Sequence, residues 1–180
     1  MRSARALADT RGSAVVEMAL VMPLLLLIMF GSVELGNYFM AEHKLVKAVR
    51  DGARFAARQS FSNYSTCSST SANVPTPGVS NSVYENTKLV VRKGSLDSST
   101  TDLLPNWTSA TFGATVQCTN AIGSYTPGGI YSGNNFASAN NAGWITVTVQ
   151  IPYRPVLQAF GFRGTGALLN ASQQAAVTGL

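Results

Sequence analysis

From Met18 to Val33 the chain carries no charged residue: MALVMPLLLLIMFGSV. Extended back to Ala14, the apolar stretch is 20 residues long, with Glu17 as its one charge. At about 1.5 Å per residue, a helix of that length reaches roughly 30 Å, the thickness of the hydrocarbon core of a bilayer. The basic stretch before it, MRSARALADTRG, is compatible with a secretory signal, but no A-x-A-like site closes the apolar run. FGSVELGNYFMAEHKL simply continues the helix. No second stretch is long enough to span, which excludes a multispan membrane protein.

The composition fits this division into two unlike pieces. Hydrophobic residues make up 46% of the 180 and charged residues only 12%, against about 25% charged in ordinary soluble domains. Outside the run the chain is mostly Ser, Thr, Asn, Gly and Ala. Overall disorder is excluded, because it needs low hydrophobicity and high net charge. The net charge of +5 does not build a nucleic-acid surface. Arg2, Arg5 and Arg11 precede the run, and the basic residues from Lys44 to Arg58 are interleaved with Asp51. Beyond them, Lys88, Arg92, Lys93, Arg154 and Arg163 are offset by Glu85, Asp97 and Asp102, so no basic stripe forms.

Catalytic groups are scarce. His43 is the single histidine, in the helix beside Lys44 and Lys47, where a nucleophilic mechanism has no other base to use. One histidine and two cysteines do not make a usual zinc site, and no glycine-rich phosphate motif occurs. The sequence therefore points away from an enzyme, and from any cofactor, metal, nucleic acid or small-molecule substrate.

Glu17 is the odd residue. In one reading it is an interfacial carboxylate that snorkels. In the other it has a cationic partner, since a lone charge near the membrane centre costs about 2.5–3.5 kcal/mol and is tolerable when paired. Cleavage after Gly12 would make Ser13 a free ammonium, and Glu17 could meet such an ammonium on a neighbouring subunit. A short basic leader ending in Gly12, a small residue at Ser13, Glu17 at the fifth mature position and then an apolar helix form the type IV prepilin pattern. Pro23 lies inside the helix, where it should kink it.

Past the run the helix is expected to continue to about Gln59, with Leu35, Phe39, Glu42, Val46, Val49, Ala53 and Ala56 as a stripe stepping by four and three. Lys47–Asp51 and Asp51–Arg54 have the spacing of helix ion pairs. The segment 60–77 reads as a loop. SNSVYENTKLVVRKG suits a helix, with Ser80 or Asn81 as N-cap and Gly94 as its stop. TSATFGATVQC (108–118) and WITVTVQI (144–151) suit strands, the second strictly alternating. Residues 124–143 read as a long loop and 156–160 as a helical turn. Residues 167–178 suit either a returning antiparallel strand or a helix. The fold class is α+β: a long N-terminal transmembrane helix with a small antiparallel sheet as its head. Cys67 and Cys118, the only cysteines, suggest a disulfide in an exported head, with two buried free thiols as the alternative.

RGSAVVEMALVMPLLLLIMFGSVELG resembles the opening of the TadE-like pseudopilins of the Tad/Flp pilus system. AVRDGARFAAR (48–58) is similar to the family's second signature, and GWITVTVQIPYRP followed by GALLNASQQAAV resembles its C-terminal strand pair. The resemblance implies a basic cytoplasmic leader (1–12), removed between Gly12 and Ser13 by a prepilin peptidase. It implies a helix over 13–59 that spans the inner membrane at about 14–33, and an exported periplasmic head over 60–180. It implies assembly with other pseudopilins and the major Flp pilin. The alternative is an uncleaved bitopic membrane protein whose head binds a ligand or polysaccharide through Trp107, Tyr125 and Tyr131.

Overall fold

The computed structural model describes residues 11–64, 79–118, 143–160 and 166–179. The fold is α+β and pilin-like in its parts, a long N-terminal helix and a small antiparallel sheet. Helix α1 is Arg11–Ala57 and helix α2 is Asn81–Lys93. The strands are β1 (Thr111–Cys118), β2 (Gly143–Pro152) and β3 (Leu168–Ala176). Short 3-10 turns occupy Phe61–Asn63, Trp107–Ser109 and Val156–Phe160. The chain divides into two compact units, Met1–Phe39 with Pro155–Arg163, and Met40–Arg154 with Gly164–Leu180.

In the first unit, α1 is exposed on every side through the apolar run, from Val15 to Met29. Among the described residues it is the one helix long and apolar enough to cross a membrane. Among the described residues nothing covers these side chains, so lipid or other helices have to cover them. The helix continues through Pro23. Ser32, the one polar side chain of the uncharged run, satisfies its hydroxyl on the helix itself, donating to the Ile28 carbonyl at 2.6 Å and reaching the Met29 carbonyl at 3.0 Å.

In the second unit α1 buries Leu45, Ala48, Val49, Ala53, Ala56 and Ala57. The lower part of the stripe read from sequence is displaced: Leu35 and Phe39 are exposed, and Val46 is only half-buried. Small residues set the buried face because α2 crosses there. A Cβ on Gly52 would run into the Val91 side chain and lie 3.6 Å from Cγ2 of Thr87. The ion pairs anticipated for Asp51 with Lys47 and Arg54 are not formed among the described residues. These groups are exposed, and exposed pairs gain little over solvation.

Helix α2 begins and ends where its sequence signals place it. The Ser80 hydroxyl accepts from the Val83 amide at 3.5 Å, and Gly94 takes a left-handed conformation at φ 75°, its N–H donating to the Val90 carbonyl. Val83, Thr87 and Val91, spaced by four, form its buried face.

The sheet has the order β1-β2-β3, antiparallel throughout, with β2 central. Thr111 pairs with Gln150 and Cys118 with Gly143 on one side of β2, Trp144 with Ala176 and Pro152 with Leu168 on the other. Ile145, Val147, Val149 and Ile151 are buried, whereas Thr148 and Gln150, on the alternate positions, are exposed. Residues 168–176, open between strand and helix in isolation, form a strand because a ladder to β2 is available. β1 starts later than its composition suggests, since Trp107–Ser109 is a 3-10 turn. Asn106, at φ 65°, turns the chain there, and the Trp107 ring goes inside, 6% exposed. After β3 the Thr178 amide donates to the Ala57 carbonyl at 2.8 Å, satisfying one of the orphan acceptors at the end of α1. The Tyr64 hydroxyl donates to the Ala56 carbonyl, and burial pushes that phenol well above its ordinary range. The long loop anticipated over 124–143 lies outside the described residues except for Gly143, which opens β2, and most of 60–77 and the Tyr125 and Tyr131 side chains lie outside them too.

Candidate functional site

The residues singled out by sequence gather at the start of α1. Gly12 and Ser13 lie in its first turn, where backbone N–H groups have no helical acceptor. Glu17 follows one turn later and is exposed. It shares a helix face with Ala14, Met18, Val21, Met22 and Leu25. The carboxylate is therefore the sole charge on an otherwise apolar strip. Chemically it is an acceptor only. On such a strip it can hold a cation presented from outside the chain.

Residues 12–54 match the TadE-like protein family.

The match opens on Gly12, takes in Glu17 and Pro23, and closes within AVRDGARFAAR. The TadE-like segment and the apolar helix that carries it fit a membrane protein related to the Tad pilus. TadE-like pilus proteins are structural rather than catalytic. The C-terminal strands that resemble the TadE-like pattern lie outside the matched residues. No curated protein and no solved structure matches the chain.

The remaining candidates stand apart from this cluster. Pro23 is a turn and a half beyond Glu17 along α1. Cys118 is the last residue of β1, and Cys67 lies outside the described residues, as does any bridge between them. His43 is exposed on α1. Among the described residues no group of three His, Cys, Asp or Glu side chains comes together. Of the aromatic residues offered for ligand binding, Trp107 is core.

Sequence reasoning missed Glu34. Its carboxylate accepts from the backbone amides of Val156, at 3.3 Å, and Leu157, at 3.0 Å, both in the first unit. The leading N–H groups of the Val156–Phe160 turn have no local acceptor, since neither Arg154 nor Pro155 before it can cap it. That missing local cap was a sequence signal for an acceptor brought from elsewhere in the chain. Nothing in the local sequence marks Glu34 as that acceptor, because it lies 122 positions from Val156.

Proposed function

We propose that this chain is a minor pseudopilin that takes part in assembling Tad/Flp pili. A prepilin peptidase cuts it between Gly12 and Ser13, removing the leader 1–12. The mature helix, 13–59, anchors it in the inner membrane through about 14–33, N-terminus cytoplasmic, and the remainder, 60–180, is periplasmic, where a Cys67–Cys118 disulfide forms. Glu17 receives the N-terminal ammonium of a neighbouring pilin or pseudopilin, and Pro23 kinks the helix. Through the pilus the protein contributes to surface adhesion.

The observation that supports this reading best is the TadE-like match beginning at Gly12 and carrying Glu17 into a helical stretch whose side chains are exposed from Val15 to Met29. An ammonium–carboxylate pair between subunits offsets the cost of keeping Glu17 in an apolar layer. Mass spectrometry of the chain purified from cell membranes tests the processing step. The expected mature chain begins at Ser13, and wild-type chain beginning at Met1 overturns it.

A further inference from the structure

The contact between Glu34 and the Val156–Phe160 turn sits where the apolar run ends. Glu34 is the residue directly after Val33, so the turn is fastened to α1 at the level at which a span over 14–33 leaves the hydrocarbon. The same helix face bears Phe30, Glu34, Asn37 and Tyr38, spaced by four, three and one, and all four are half-buried while Ser32, Val33 and Leu35 are exposed. Cover on that face therefore begins inside the apolar run, at Phe30, and extends beyond it.

The turn is suited to such a depth. Its leading amides are satisfied by the Glu34 carboxylate, and an amide left unpaired in a poorly hydrated layer would be costly. Leu157 is buried, while Val156 points outward, 57% exposed. Pro155 also has no N–H to satisfy.

We infer that the Val156–Phe160 turn is a second membrane contact, seated in the lipid interface beside the end of the span and held at that depth by Glu34. The occupant of its exposed side is lipid, because the outward-facing Val156 adds to the exposed apolar surface of the span at the level where the span ends. This rests on the proposal that α1 crosses the membrane. Glu34 acts here as a positioning residue, and the chain meets the bilayer at two places 122 positions apart in sequence.

The test places the photoreactive residue p-benzoylphenylalanine at position 156, 27 or 172 of the full chain. Each protein is reconstituted in vesicles of phosphatidylethanolamine and phosphatidylglycerol and irradiated, and adducts are identified by mass. Lipid adducts are expected at 156 and 27 and not at 172, an exposed position on β3. Adduct at 27 with none at 156, or only protein adduct at 156, overturns this inference and leaves the membrane helix intact. No lipid adduct at 27 overturns the membrane helix and the inference with it. Adding Glu34→Leu should lower the lipid adduct at 156 several-fold and leave that at 27 unchanged. An unchanged yield at 156 would remove Glu34 from the positioning role.

Discussion

The Tyr84 hydroxyl donates to the Phe112 carbonyl at 3.1 Å, and the two rings stand edge to face with centroids 5.2 Å apart. One residue of α2 thus holds one residue of β1 twice, once by its polar tip and once by its ring. Replacing Tyr84 by Phe removes only the first hold. The loss should be about 1 kcal/mol, the usual net value of such a hydrogen bond, read from chemical denaturation of the full chain in detergent. A loss near zero would mean that water serves the Phe112 carbonyl equally well.

The α1–α2 crossing predicts a contrast between glycines on one helix. Gly52→Ala places a methyl against Val91 and should cost about 1–3 kcal/mol, the usual range for overpacking. A Cβ on Gly36 meets nothing, so Gly36→Ala should be neutral or stabilising by up to about 1 kcal/mol from helix propensity. Equal effects in the same denaturation experiment would show that the crossing is looser than the structure has it.

Asp102 gives the stability of the second unit an acid limb. The hydrogen bonds from Arg92, at 2.6 and 2.8 Å, and then the charges of Arg92 and Lys93 hold its carboxyl below the ordinary value. A folded-state value below the unfolded one means that the contribution is complete above the unfolded value, about 3.9, and is lost as pH falls through the folded one. Both partners are partly exposed, so the pair should be worth about 1 kcal/mol or less. Asp102→Asn should be less stable than wild type at pH 6, and the difference should close towards pH 2. A gap that persists at pH 2 would point to a cause other than charge.

Glu17→Ala tests the paired carboxylate. The variant should insert and be cleaved as wild type but reduce surface pili several-fold, counted by electron microscopy. Normal piliation would remove Glu17 from the assembly role.

The proposed Cys67–Cys118 bridge predicts that the full chain takes up no alkylating label until it is denatured and reduced. Removing both cysteines by Cys67→Ser and Cys118→Ser should cost up to about 4 kcal/mol in the loop-entropy picture. Labelling of denatured chain without reductant would overturn the bridge.

The parts of the fold that were legible in sequence are those decided locally. The caps of α2 are single residues, Ser80 and Gly94, acting on neighbouring backbone, and the alternation in β2 follows from one buried face. β3 was ambiguous because LLNASQQAAV has no dominant period, and its register with β2 supplied what its own residues lacked. Trp107, offered with Tyr125 and Tyr131 for ligand binding, is core instead, because the left-handed turn at Asn106 sends it inward. At the candidate site, Gly12 and Glu17 are marked by the combination of a basic leader, a small residue, a carboxylate and an apolar helix, and not by their spacing alone. Glu34 was not readable, because an acceptor and its amides far apart in the chain leave no periodic trace.

The bare helix from Val15 to Met29 carries a consequence for how the chain changes surroundings. Lipid tails and the side chains of other helices are about equally apolar, so burying this surface in one rather than the other yields little free energy. Ser32 is neutral in the choice too, since its hydroxyl is already satisfied within the helix. Of the side chains on this surface, Glu17 alone distinguishes the two settings, and a single ionic contact would then decide whether the helix stays dispersed in a bilayer or joins a bundle.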